Sequence, residues 1–434
     1  MKIKPSNFVN WFRDSSPYIH AHRNKTFVIF LSGEAVNEEC DNLIHDFSLL
    51  KSLGIRLVLV YGIRPQINQR LQQKQCEPKF HQNLRITDDD ALQCVKETAG
   101  LIRVEIEALL SMGLSNSPMA GAKIKVASGN FVIAQPLGII DGIDYQHTGK
   151  VRRIEHVSIH QQLEQDNVVL ISPIGYSPSG EIFNLSAEHV ATEVAIALQA
   201  SKLILLTEQN CTSDQQLIQQ MTVNEAKEYL EQQAIETPLS DSLNAAIQSC
   251  QQGVKRVHLI NRKIDGALLL ELFTRDGTGT LISSNAFEEI RAASLNDIAG
   301  ILDLIKPLEQ QGLLVKRSRE KLEMEINDYI VIERDGLIIG CTAFHQMNDK
   351  YSAEIACLAI HPDYQNAARG NRLLEHLLIK AKKEKLNTLF LLSTQTMHWF
   401  IERGFKPAEI DSLPEQRKQF YNYKRNAKVL CKRI

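Results

Sequence analysis

The sequence predicts an α/β protein in two units: a large parallel-sheet unit over residues 1–283 and a smaller α/β unit over 284–434. Three observations predict it. A chain of 434 residues exceeds what one ordinary core supports, so at least two domains are expected. From Lys25 to Ile282, short apolar runs alternate with helix-length segments. Near Thr280–Asn285 the character changes, and a helix, a strand pair and further strand–helix alternation follow.

In the first unit the candidate strands are Phe27–Leu31, Arg56–Tyr61, Phe131–Gln135, Val168–Ser172, Lys202–Thr207 and Arg256–Ile260. They are rich in Val, Ile and Leu at successive positions, as a parallel sheet covered by helices on both faces requires. Ser186–Ala200 reads as one of those helices. In the second unit, Ser294 and Asp297 are placed to cap a leading helix. A strand pair turning at Asp335-Gly336 comes next, then a strand from Glu354 and a helix from about Asn371. Leu386–Thr394 is the following strand, and His398–Phe405 a short helix ending at Gly404.

Composition narrows the function classes. A net charge of -2 gives no basis for a nucleic-acid partner. No apolar run reaches the ~18 residues of a membrane span. The opening MKIKPSNFVNWFRDSSPYIH has no unbroken apolar core of the kind a secretory signal carries, so a cytoplasmic location is expected. The eight cysteines include no C-x-x-C pair, so neither a zinc site nor a redox motif is expected, and no metal.

The most informative segment is EIACLAIHPDYQNAARGNRLL, Glu354 to Leu374. A buried strand ends in His-Pro and meets a short polar loop, and an amphipathic helix follows. That order aims backbone N–H groups and the positive end of a helix dipole at an anion. The loop, Gln365 to Asn371, resembles the acyl-CoA motif of the GNAT acetyltransferase superfamily, with Ala368 at its first glycine and Gly370 at its second. HWFIERGF is a second GNAT-like signature. The resemblance implies an acyl-CoA site at Leu358, Ala359, Ile360, Gln365 and Asn366, continuing through Ala368, Arg369, Gly370 and Asn371. Arg369 is expected to add charge to the phosphates. Acetyl-CoA is then a co-substrate, with no tightly bound cofactor.

Acetyl transfer to an amine needs a base, because the nitrogen arrives as an ammonium ion. Glu354 opens the buried strand, where facing a cleft would raise its affinity for a proton. Ser393 or Thr394 is placed to donate to the leaving thiolate, with Ser393 taken as the catalytic choice. Cys357 lies inside the apolar strand and reads as buried and inert.

Over most of its length the chain resembles the bacterial N-acetylglutamate synthase family, amino-acid acetyltransferases that begin arginine biosynthesis. The segments RNKTFVIFLSGEA, GIRLVLVYGIRPQIN, DGALLLELFTRDGTGT, VKRSREKLEMEI and LPEQRKQFYNYKRNAKVL carry it. The resemblance implies L-glutamate as acceptor, held by Arg317, Arg417 and Arg425, whose guanidiniums suit carboxylates. It also implies arginine as inhibitor and a homo-oligomer, commonly a ring hexamer.

The first unit resembles the amino-acid kinases, which carry Lys-x-Gly-Gly after the first strand and Gly-Gly-Gly-Pro after the second. Here Phe30 stands at the lysine, and Tyr61-Gly62-Ile63-Arg64-Pro65 has lost two glycines. Phosphoryl transfer rests on positioned charge and backbone donors, so a kinase-inactive, arginine-sensing unit is expected. Glu271, Gly277 and Gly279 match the arginine-binding region of inhibited relatives. Glu271 is expected to pair with the inhibitor's guanidinium, and the glycines to admit it closely.

Overall fold

The computed structural model describes residues 5–37, 41–113, 119–213, 216–232, 237–274, 276–284, 288–334, 337–365 and 368–434. The turn at Asp335-Gly336, Asn366 and Cys40 lie outside them. The chain divides between Asn285 and Ala286 into two compact units.

The first unit opens with helix α1 (Pro5–His22) and is built on an eight-stranded sheet. Its strands are β1 (Thr26–Leu31), β2 (Arg56–Tyr61), β3 (Val126–Ser128), β4 (Val168–Ile171), β5 (Lys202–Thr207), β6 (Gln220–Thr222), β7 (Val257–Asn261) and β8 (Thr280–Ser283), in spatial order β6-β8-β7-β5-β1-β2-β4-β3. All neighbours are parallel except β7 and β8. Alternation along β1 explains the two-sided core. Val28 and Phe30 join one cluster with Val58, Val60 and Leu205, whereas Phe27, Ile29 and Leu31 join another with Leu57, Leu59 and Ile204. Both faces are therefore apolar and both are covered, each fully buried large side chain contributing about 1.5–3 kcal/mol. Helices α2 (Ala187–Ala197), capped by Ser186, and α3 (Pro238–Gln251), capped by Thr237, pack on the first face. Helix α4 (Ala267–Phe273) packs on the second. The strand at Val132–Pro136 departs from the main-sheet expectation and belongs to a separate four-stranded sheet.

The second unit is a seven-stranded sheet: β9 (Glu288–Ala292), β10 (Tyr329–Arg334), β11 (Leu337–Gln346), β12 (Ser352–Ile360), β13 (Thr388–Ser393), β14 (Lys406–Ala408) and β15 (Lys428–Arg433), ordered β9-β10-β11-β12-β13-β15-β14. Only β12 and β13 run parallel. Helices α5 (Ile298–Gln310) and α6 (Arg319–Glu325) cover one face through Ile301, Ile305 and Leu322. Helix α7 (Arg369–Lys383) covers the other through Leu373, Leu374 and Leu377. Ser294 and Asp297 form the expected capping box ahead of α5. No helix among the described residues is long and apolar enough to cross a membrane.

Candidate active site

The site begins where two strands part. β12 pairs with β13 only from Ser352 to Glu354, against Thr388 to Phe390. Beyond that, β12 continues to Ile360 and β13 to Ser393 without pairing to each other. One backbone edge of residues 355–360, Leu358, Ala359 and Ile360 included, is thus unpaired with β13. A bulge widens the parting: Cys341 and Ala343 on β11 face Ala359 and Ala356, so two residues of β12 oppose Thr342. Cys357 takes the strained position, with φ of 53°. It is buried beside Cys341, whose thiol points at the Cys357 carbonyl 3.6 Å away.

Glu354 is the last paired residue before the strands part, and it is buried. Arg417 donates to it from Nε at 2.7 Å and to the Phe420 carbonyl from Nη1 at 3.0 Å. A guanidinium sixty-three positions away thus compensates the charge of this buried carboxylate. Two residues assigned separate roles from sequence are partners. On β13, Ser393 is buried and Thr394 exposed, which separates the two hydroxyls. The Ser393 hydroxyl accepts from the Thr396 N–H at 3.1 Å and lies 3.1 Å from the Thr396 hydroxyl, a partner the sequence did not mark.

Arg317 and Arg425 come together from opposite ends of the unit. Arg317 lies beside Cys357, Tyr329 and Cys341 and donates to the Val315 carbonyl at 2.9 Å. Arg425 donates to the carbonyls of Gly312 and Leu313, and its buried Nε has no partner. Burial, with the Arg317 charge close by, pulls Arg425 below the usual guanidinium range. Among the described residues neither guanidinium has a carboxylate partner. Burial alone would lower Arg317, but Cys357, Tyr329, Cys341 and the Glu325 carboxylate hold it above the usual guanidinium range, so the buried, partnerless Nε of Arg425 is the group a carboxylate can satisfy.

The loop carries the second set. Ala368 is the N-cap of α7 in the left-handed region, φ 53° and ψ 10°, the conformation a glycine adopts without strain. Gln365 donates its side-chain amide to the Ile360 carbonyl at 3.2 Å. Gly370 belongs to the first turn of α7, where a Cβ would stand 3.1 Å from the Trp399 indole. Its small size is therefore required by packing. Helix α8 (Met397–Ile401) and Gly404, φ +86°, carry the aromatic signature. Arg403 of that signature lies 4.0 Å from the Trp399 ring and donates to Asn371 Oδ1 at 2.6 Å, so the motif props the helix start. Arg369 departs from expectation. Its Nε lies 2.9 Å and 3.0 Å from the two oxygens of Glu288, so the guanidinium is committed to an ion pair and only the backbone N–H remains for phosphate.

The kinase-like loops of the first unit pack on each other. A Cβ on Gly33 would lie 2.5 Å from Pro65 Cδ, and one on Gly62 would lie 3.0 Å from the Gly33 nitrogen. Gln66 donates to the Gly33 carbonyl at 2.6 Å, and Phe30 is buried in the core. A cavity of about 800 Å³ adjoins them, lined by residues including Ser32, Asn184 and Glu188. At the proposed regulatory segment, Glu271 is only 6% exposed. His258 Nδ1 lies 2.7 Å from one oxygen, and the N–H groups of Thr278 and Gly279 donate to the other at 2.8 Å. Burial would raise this carboxyl, but His258 and the two N–H groups hold it at about 2. Burial and the Lys202 ammonium lower His258 to about 4, and Lys202 Nζ sits 2.9 Å from its Nε2. The imidazole is therefore neutral and donates to Glu271. The glycines serve this wrap: a Cβ on Gly277, φ +62°, would strike Glu271 Oε2 at 2.3 Å, and one on Gly279 the Leu259 carbonyl at 2.4 Å. The Glu271 carboxylate, expected to pair with a guanidinium, is thus already satisfied by His258 and two backbone N–H groups.

Family comparisons agree with these two constructions. The Amino acid kinase family matches residues 25–261, and the Acetyltransferase (GNAT) domain matches residues 325–407. Fold and site together define an N-acetyltransferase that joins an amino-acid-kinase-like unit to a GNAT unit. The chain is 50% identical to the amino-acid acetyltransferase of Azotobacter vinelandii, over 99% of this chain and 100% of that one. It is 48% identical to that of Escherichia coli K12, over 99% of each. N-acetylglutamate synthase from Neisseria gonorrhoeae, complexed with coenzyme A and L-arginine, superposes with a TM-score of 0.90 at 37% identity, over 98% of this chain and 99% of that one. The same enzyme complexed with coenzyme A and N-acetyl-glutamate gives 0.63 at 38% identity, with the same coverage. The chain belongs to the amino-acid acetyltransferase family.

Proposed function

We propose that the protein transfers the acetyl group of acetyl-CoA to the amine of L-glutamate, the first step of arginine biosynthesis, and is inhibited by arginine. The carrying observation is the Arg317–Arg425 pair, without a carboxylate partner and linked through Cys357 to the strand that bears Glu354. A dicarboxylic amino acid supplies what those guanidiniums lack. The Neisseria relative, described with N-acetyl-glutamate, supports that acceptor, and its coenzyme A supports the donor.

In the reaction, the pyrophosphate of acetyl-CoA lies on backbone N–H groups of Gln365–Asn371 at the start of α7, and the pantetheine arm on the open edge of Leu358–Ile360. Glu354 takes a proton from the glutamate ammonium, and Arg417 turns from Glu354 toward a substrate carboxylate. The amine nitrogen attacks the thioester carbonyl directly, the C–N bond forms, and the C–S bond breaks. Ser393 delivers its hydroxyl proton to the departing thiolate and takes up the second proton that the nitrogen loses as the amide forms, with the Thr396 hydroxyl beside it.

The unit over 1–283 acts as a kinase-inactive arginine sensor for the acetyltransferase over 284–434. Pairing of the inhibitor with Glu271 requires the His258 contact to open, giving the two arrangements that feedback needs. The L-arginine of the Neisseria complex supports this reading. A cytoplasmic ring hexamer is the proposed state, and exposed Val9 and Trp11 on α1 suit subunit contact. The test is direct: purified protein with acetyl-CoA and glutamate releases free thiol, arginine suppresses it, and ATP is not consumed. ADP formation without thiol release overturns the assignment.

A further inference from the structure

Glu288 opens β9, directly after the boundary between the units, yet it is only 4% exposed. Three guanidiniums converge on it. Arg369 reaches both oxygens, Arg372 Nη1 lies at 3.0 Å and Arg334 Nη1 at 3.4 Å. Burial alone would raise this carboxyl, but Arg369, Arg334 and Arg372 hold it below the usual carboxylate range.

The geometry says what the cluster is for. Arg369 also donates from Nη1 to the Tyr364 carbonyl at 3.1 Å, and its guanidinium lies 5.1 Å from the Tyr364 ring. Arg334 lies over the same ring at 5.3 Å. Tyr364 closes the turn before the acyl-CoA loop, and Arg369 begins the helix after it. One side chain thus ties the two ends of the loop, and one buried carboxylate fixes that side chain.

We propose that Glu288 is a positioning residue for the acyl donor: it locks Arg369 against Tyr364, so that the N–H groups at the start of α7 stay aimed at the donor's pyrophosphate. This rests on the proposed seat of CoA there. Without the carboxylate, three neighbouring guanidiniums repel, and the tie between Tyr364 and α7 loosens.

The test compares two acyl donors. S-acetyl-pantetheine carries the thioester and arm of acetyl-CoA but no pyrophosphate. Glu288→Gln is expected to lower kcat/KM for acetyl-CoA by about tenfold or more, through KM, because misplaced donors weaken binding. The glutamate KM and the kcat/KM for S-acetyl-pantetheine stay at wild-type values, and Glu288→Asp recovers part of the loss. Equal losses with both donors, or no loss with either, overturn the proposal. Should Glu288→Gln fail to fold, Arg369→Lys removes the tie to Tyr364 and is read by the same donor comparison. Wild-type protein that releases no thiol from acetyl-CoA and glutamate overturns the function reading instead.

Discussion

The two units each place glycine-bearing loops at strand ends, and the loops have opposite fates. In the first, Gly33 and Gly62 press against Pro65 and each other, and Phe30 is core. In the second, Ala368 holds a glycine-like conformation at a helix start, and β12 leaves an edge unpaired with β13 beyond Glu354. A glycine marks close approach in both. In the first unit the protein itself approaches; in the second the Trp399 indole approaches Gly370, and the acyl donor is the approach we propose at Ala368.

The same contrast holds for the carboxylates. Glu271 has every oxygen satisfied within its own unit, while Glu354 is held by one guanidinium that a substrate can draw away. Glu354→Gln tests the second most severely. Turnover in a thiol-release assay is expected to fall about 10²–10⁴-fold, and unchanged turnover removes the base assignment. Arg425→Ala comes next: kcat/KM for glutamate drops about tenfold to a hundredfold with the acetyl-CoA KM nearly unchanged, since one charged hydrogen-bonding group contributes about 1.5–3 kcal/mol. A parallel rise in the acetyl-CoA KM would place that arginine at the donor instead.

Acidification probes the satisfied side. His258 and His22 are both lowered by burial and by Lys202 to about 4 in the fold. The unfolded chain therefore takes up protons first, and the first unit loses stability as pH falls from about 6.5 through about 4. Glu271, lowered from 4.5 to about 2, keeps its full contribution only above about 4.5 and loses it progressively as pH falls from there to about 2, so the comparison between pH 7 and pH 5 reads the histidines. Calorimetry at pH 7 and pH 5 should show a lower Tm at pH 5, and an unchanged Tm contradicts the buried neutral imidazoles. The smallest effect belongs to Ala368→Gly. Relief of a left-handed alanine favours the fold by at most about 1 kcal/mol, with thiol release unchanged or slightly faster. Clear destabilisation would show that Ala368 earns its place through packing.

Much of this was legible in residue order. The strands β1, β2, β4, β5 and β7 follow from runs of apolar residues, because a two-sided core requires no spatial information to recognise. The strand, turn and helix start of the proposed acyl-CoA loop were legible because they are contiguous. Arg317 and Arg425 were legible only through family resemblance, since they lie more than a hundred positions apart. The commitments of Arg369 and Glu271 were not legible. Their partners, Glu288 and His258, carry no mark in the sequence that assigns them a partner, and only the fold buries them as anchors.

By itself, then, the sequence determined what neighbouring residues can settle: the periodicity of each strand, the caps, the loop chemistry and the loss of the kinase lysine. Tertiary structure decided which charges are spent and which are free. It tied residue 288 to residue 369 across 81 positions and paired Glu354 with Arg417. The physical reason is that a charge buried in a fold must find a partner, and the chain's path chooses which partner is near.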